Sequence, residues 1–192
     1  MKLLSARQRR WLLVAVSIAV VLPLVYVILS GSLSGKARTS YANEDQIGFT
    51  AENAPAPQFQ LPLLERHGDL QLSSLAGRPI VLNFWASYCD ICRQESPAIA
   101  KVAAAVGDRV RFLGVDTEDE QAAALKFISK YGITYQVVSD VDGIVATKYG
   151  VPGLPVTVFI SATGKRILGI NLGALTAASL TSILRKLYGA AA

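Results

Sequence analysis

The sequence predicts an α/β domain organised around a strand–helix unit and preceded by one transmembrane helix. Three observations predict it. Pro79-Ile80-Val81-Leu82-Asn83-Phe84-Trp85 is a short apolar run rich in β-formers, which reads as a buried strand. Beyond it, Ile91, Pro97, Ile99, Val102, Ala103 and Val106 recur at helical spacing. Residues 11–29 carry no charge, and nineteen helical residues rise about 28 Å, close to the thickness of a bilayer core.

That apolar run is longer than the core of a cleavable signal, although Ser32-Leu33-Ser34 resembles a cleavage site. Lys2, Arg7, Arg9 and Arg10 precede it, and Lys36 and Arg38 follow. This bias puts the N-terminus in the cytoplasm and the rest of the chain outside, where disulfides persist. The expected organisation is a cytoplasmic tail over residues 1–10, an uncleaved anchor over 11–30, a small-residue, polar tether over 31–55 and a catalytic domain over 56–192.

The net charge of +5 does not point to nucleic acid. Residues 1–40 hold six basic and no acidic side chains, leaving thirteen basic against fourteen acidic in the remainder, a net of −1. The basic character belongs to the anchor and its flanks, so no nucleic-acid partner is expected.

Within the domain, Phe59-Gln60-Leu61-Pro62-Leu63 and Asp69-Leu70-Gln71-Leu72 read as a β-hairpin turning at His67-Gly68. The strand up to Trp85, a helix from about 91 to 106 and a strand over 110–115 make a βαβ unit. Pro97 removes one helical hydrogen bond. Thr117-Glu118-Asp119-Glu120 supplies helix-start chemistry for a helix to about Tyr131, followed by a short strand at Tyr135-Gln136-Val137-Val138. A short helix over 144–149 ends at Gly150, a strand follows Pro155, and Ala162-Thr163-Gly164-Lys165 turns a hairpin. Residues 166–170 read as the edge strand and 175–187 as an amphipathic closing helix.

Both cysteines of the protein, Cys89 and Cys92, lie where the central strand gives way to the helix. The first N–H groups of a helix have no partner within it, and the helix dipole places partial positive charge there. A thiolate is stabilised at that place, which marks Cys89 as the attacking sulfur and Cys92, on the first turn, as the resolving one. A zinc site would need four ligands, whereas His67 is the only histidine and there is no second cysteine pair.

The stretch Asn83-Phe84-Trp85-Ala86, Cys89, Cys92, Arg93, Glu95, Pro97 resembles the active site of thioredoxin-like proteins, most closely their membrane-anchored TlpA/ResA branch. Tyr88 stands where that branch commonly has Trp, and Ile91 where it has Pro. The resemblance runs from about Ala56 to the C-terminus. It makes the helix and strand of 117–138 the central insert of the branch. It also makes Pro155, in Val151-Pro152-Gly153-Leu154-Pro155-Val156-Thr157, the cis-proline that faces the cysteines, with Leu154 and Tyr88 meeting the substrate. It implies a proton-handling role for Glu95, with Asn83 replacing the buried aspartate of ordinary thioredoxins. That leaves Glu95 and Asp90 as the only nearby acids expected to matter.

The chemistry expected is thiol–disulfide exchange without a cofactor or metal: Cys89 attacks a disulfide and Cys92 resolves the mixed disulfide. Asp90 beside Cys89 opposes the thiolate, which favours a reductant. The resemblance implies electrons from a transmembrane thiol donor of the CcdA/DsbD type and clients among exported proteins, including apocytochrome c. An oxidant that inserts disulfides is the alternative within enzymes. A metal- or haem-delivery module of the same fold is the alternative outside them, but copper carriers of related fold use a wider cysteine spacing and a distal histidine. A peroxiredoxin needs Thr or Ser where this chain has Ala86.

Overall fold

The apolar run Ile80–Trp85 forms β4, and every residue of it is buried. A strand covered on both faces reads as a continuous hydrophobic run, which is why it stood out. The computed structural model describes residues 48–189. The tail, the anchor and most of the tether lie outside them, and among the described residues no helix is long and apolar enough to cross a membrane.

The elements run β1 (Phe49–Pro55), β2 (Gln60–Pro62), β3 (Asp69–Gln71), β4, α1 (Asp90–Val106), β5 (Arg111–Thr117), α2 (Gln121–Tyr131), β6 (Gln136–Asp140), α3 (Ile144–Lys148), β7 (Val156–Ile160), β8 (Arg166–Leu172) and α4 (Ala177–Tyr188). Six strands make one mixed sheet in the order β1-β8-β7-β4-β5-β6, and β2 and β3 form a separate hairpin. The expected βαβ unit is present, with β4 parallel to β5, and β5 is parallel to β6. β7 and β8 return antiparallel. This is the thioredoxin-like α/β fold with its hairpin and its helix–strand insert.

Alternation along β4 divides the core. Ile80, Leu82 and Phe84 pack with the β2–β3 hairpin and α3 on one face. Val81 packs with Ile99 of α1 and Leu180, Ile183 and Leu184 of α4 on the other. Trp85 closes a third cluster at the cysteine end, stacked on Phe127 of α2 at 4.4 Å. The hairpin also guards an edge of the sheet: Leu63 bridges Val138, and Leu64 N–H donates to Val137 O at 2.9 Å. Such cover blunts a strand edge that would otherwise pair with another chain.

Two expectations are corrected here. The tether was expected to reach residue 55, but Phe49–Pro55 is β1, paired antiparallel with β8 from Phe49↔Asn171 to Pro55↔Arg166. Consequently β8 is not an edge; it lies between β1 and β7. The physical reason is a ring in a seat. Phe49 meets Phe159 edge-on at 5.8 Å, and it can do so because residue 169 is glycine, where a Cβ would fall 2.5 Å from the Phe49 ring. Pro55 is tolerated because it ends an edge strand.

Candidate active site

Cys89 is the N-cap of α1, in extended backbone, and Cys92 N–H donates to its Sγ at 3.1 Å. The two cysteines are joined as a disulfide. Cys89 is half-buried and Cys92 is fully buried, against Trp85 and Phe127. The asymmetry expected from the sequence is therefore present: one sulfur at the open helix start and one beneath it.

The loop ahead of Cys89 is held by a clamp that sequence reading missed. Ser87 donates both its backbone N–H and its hydroxyl to Asp119, just past β5. Arg93 closes the same loop from the other side, donating Nε and Nη2 to Ser87 O at 3.0 and 2.8 Å. Its Nη1 meets Asp90 Oδ1 at 2.6 Å. That pair changes the reading of Asp90. Its negative charge beside Cys89 is offset by a guanidinium one turn along, so Asp90 no longer argues for a reducing couple.

Glu95 is only 2% exposed. Its Oε1 accepts from Asn83 Nδ2 at 2.9 Å and its Oε2 from Leu175 N–H at 3.0 Å. Burial pushes its pKa up to about 7, against the two hydrogen bonds that favour the ionised form. Asn83 also donates to Thr157 Oγ1 at 3.2 Å, and its register partners across the sheet are Gly114 and Thr157, the latter paired in turn with Asn171. A polar row thus runs across β8, β7 and β4 beneath α1, with Glu95 above it.

Glu95 and Asp90 are not the only acids near the cysteines. Asp116, the register partner of Trp85, is fully buried in β5. Neither of its carboxylate oxygens has a hydrogen-bond partner. Burial, reinforced by Asp119, pushes its pKa up to about 8, so it holds its proton at neutral pH. The signal was present in the sequence, as an acid within the apolar run Phe112-Leu113-Gly114-Val115-Asp116, but it was not read.

The Leu154–Pro155 bond is cis, as expected. Pro155 is buried, and Leu154 is the residue that reaches the surface beside Cys89. A groove of about 680 Å3 opens there, with Tyr88, Cys89, Asp90, Ile91, Glu118 and Leu154 among its lining. Tyr88 is 57% exposed and Ile91 48%, an apolar pair on either side of the nucleophile pair's first sulfur. Of the expected site residues, Tyr88, Cys89 and Leu154 share this groove, Cys92 and Pro155 lie beneath it, and Glu95 sits deeper, under α1.

A half-exposed sulfur capping a helix, a buried partner three residues on and a thioredoxin-like sheet define a thiol–disulfide oxidoreductase. The chain belongs to the AhpC/TSA family, whose model matches residues 53–165. Within it the chain is akin to the DsbE and ResA proteins, in keeping with the TlpA/ResA type. It is 36% identical over 159 residues to the thiol:disulfide interchange protein DsbE of Pseudomonas fluorescens, covering 81% of this chain and 82% of that protein. It is 35% identical over 125 residues to the thiol-disulfide oxidoreductase ResA of Oceanobacillus iheyensis, covering 63% and 65%. The crystal structure of a secreted Mycobacterium tuberculosis disulfide oxidoreductase superposes with a TM-score of 0.62 at 31% identity, covering 68% of this chain and 96% of that one.

Proposed function

We propose that this protein is a membrane-tethered reductase of disulfides in exported proteins, acting on the extracytoplasmic side of a bacterial cytoplasmic membrane. The observation that carries the reading is the unequal burial of Cys89 and Cys92 at the start of α1. In the dithiol form, the Cys89 thiolate attacks one sulfur of a client disulfide. A mixed disulfide forms and the client's other sulfur leaves as a thiolate. Cys92 then loses its proton and attacks Cys89 Sγ, which releases the client's second thiolate and closes the Cys89–Cys92 disulfide. Two electrons pass to the client, and a thiol donor must return two to this chain.

Glu95 is the group that takes the Cys92 proton in this scheme. It stands one turn along α1 from Cys92, and a carboxyl whose pKa is about 7 can both accept and return a proton near neutrality. Clients such as apocytochrome c, and a transmembrane donor of the CcdA/DsbD type, are what kinship with the DsbE and ResA proteins suggests.

A disulfide-inserting oxidant uses the same sulfurs in the opposite direction, and the Arg93–Asp90 pair removes one argument against it. Equilibration with glutathione buffers separates the two. A couple at or below the glutathione potential supports the reductase, and one well above it makes the protein an oxidant.

A further inference from the structure

The groove beside Cys89 has a charge of one sign. Three carboxylates line it, Asp90, Glu118 and Asp142, and no Lys, Arg or His does. Asp90 is matched by Arg93. Glu118 and Asp142 are exposed, and among the described residues neither has an ion-pair partner. They stand on the loops that follow β5 and β6, at the sheet end that also carries Cys89.

Glu118 is held in place at a cost. Its φ is +51°, the left-handed region, and it is the only non-glycine residue with positive φ among those described. A non-glycine residue persists there only when its surroundings impose it, and such residues cluster at functional sites. Glu118 N–H donates to Asp140 O at 3.1 Å. Its side chain lies over Gly143, where a Cβ would come within 3.0 Å of the Glu118 Cδ. The Asp140 carboxylate accepts from Val145 and Ala146 N–H at 3.0 and 2.8 Å and so fixes the start of α3. Loop and helix therefore present the Glu118 carboxylate from a rigid seat. Its field is felt at the nucleophile's neighbour: Tyr88 has a raised pKa, first from burial and then from Glu118, Asp119 and Asp116.

The same end carries apolar surface. Tyr88, Ile91, Val141 and Ile144 are each about half exposed or more, at 57%, 48%, 62% and 55%. Exposed apolar side chains with unpaired charge of one sign around them describe a recognition surface rather than a solvated loop.

We propose that Glu118 and Asp142 make this groove select cysteine-bearing polypeptide segments that carry a Lys or Arg close to the reacting cysteine, with an apolar neighbour lodged against Tyr88 and Ile91. The proposal rests on the reading of the protein as one that exchanges disulfides with polypeptides. It names the chemistry of the segment it accepts. Like-signed clients are repelled, so the acidic rim excludes acidic segments as well as attracting basic ones.

The test uses the full chain with Cys92→Ser, so that a mixed disulfide on Cys89 is trapped whichever way electrons flow in turnover. Three synthetic peptides, each with one cysteine activated as its thionitrobenzoate disulfide, differ only in carrying Lys, Gln or Glu beside that cysteine. Trapping should be fastest for Lys and slowest for Glu, spanning about 10-fold at low salt and shrinking as salt screens the groove. Glu118→Gln with Asp142→Asn should compress the span to about 2-fold or less, while Glu52→Gln, on the opposite sheet edge, should leave it wide. Equal trapping of the three peptides by the Cys92→Ser chain, or a span that survives the double substitution, overturns the proposal. Failure of the functional reading shows elsewhere, as no multiple-turnover reduction of a protein disulfide by the chain with both cysteines.

Discussion

Asn83 and Glu95 are joined across the core: Asn83 Nδ2 of β4 donates to Glu95 Oε1 of α1 at 2.9 Å, with both side chains buried. The second oxygen of Glu95 accepts from Leu175 N–H, just ahead of α4. The carboxyl is thereby tied to three elements at once. Both donors favour the anion and burial opposes it, leaving a pKa of about 7. Because that lies above the ordinary 4.5, the native state binds more protons than the unfolded chain between those values. Stability falls as pH rises across that window and is level above it.

Glu95→Gln tests this arrangement. The amide can accept one of the two hydrogen bonds but sets its NH2 against the other donor, at a cost of about 1–3 kcal/mol. The fold should survive and the disulfide should still form. Reduction of a protein disulfide should slow by about 10-fold or more, and the inflection near neutral pH should vanish from the pH–rate profile. Superimposable profiles for the two proteins would leave Glu95 a purely structural tie.

Asp116→Asn makes the opposite kind of change. Asp116 is buried without a hydrogen-bond partner, and its pKa is about 8 rather than 3.8. The wild-type chain loses stability as pH rises between those values, because only its unfolded form releases the proton. The amide does not titrate. Its advantage should therefore grow across that window and level off above it, reaching on the order of 5 kcal/mol near pH 8. Denaturant unfolding at several pH values measures it. A difference that does not change with pH would mean that Asp116 is ionised in the fold.

Much of this was legible because it rested on local chemistry. The continuous apolar run of β4, the change to helical period after Cys89 and the glycine and proline punctuation later in the chain each follow from one short stretch. β1 was not legible, because Phe49-Thr-Ala-Glu-Asn-Ala-Pro55 has neither a clean alternation nor an apolar run. It pairs through its backbone, and its two anchors lie more than a hundred residues away: Phe49 depends on Gly169, and Asn53 accepts from the Arg166 guanidinium. Asp119 was read as helix-start chemistry, and only the folded chain brings it to Ser87. The left-handed backbone of Glu118 leaves no mark in composition at all, since it is imposed by Asp140 and Gly143.

The two sulfurs should differ in reduced protein. Cys89 is half-buried at the helix N-terminus, whereas Cys92 is wholly enclosed. At neutral pH, iodoacetamide should label Cys89 at least about 10-fold faster than Cys92. Peptide mapping by mass spectrometry reads the ratio, and faster labelling of Cys92 would reverse the roles.

Arg93 supplies the last prediction. Its guanidinium meets Asp90 at 2.6 Å and donates twice more to Ser87 O, so it both neutralises the acid beside Cys89 and holds the loop that leads to it. Arg93→Gln removes a positive charge near the nucleophile and leaves the negative one of Asp90 unmatched. Both changes disfavour the Cys89 thiolate and raise its pKa. The group is well exposed to solvent, so the effect is moderate: alkylation of Cys89 at neutral pH should slow about 2- to 5-fold. A less stable thiolate also favours the disulfide over the dithiol, so the couple should become more reducing. Arg93→Gln with Asp90→Asn separates charge from loop geometry. Removing both charges should restore most of the alkylation rate if the Coulombic effect dominates, and should leave it slow if Arg93 acts by holding Ser87.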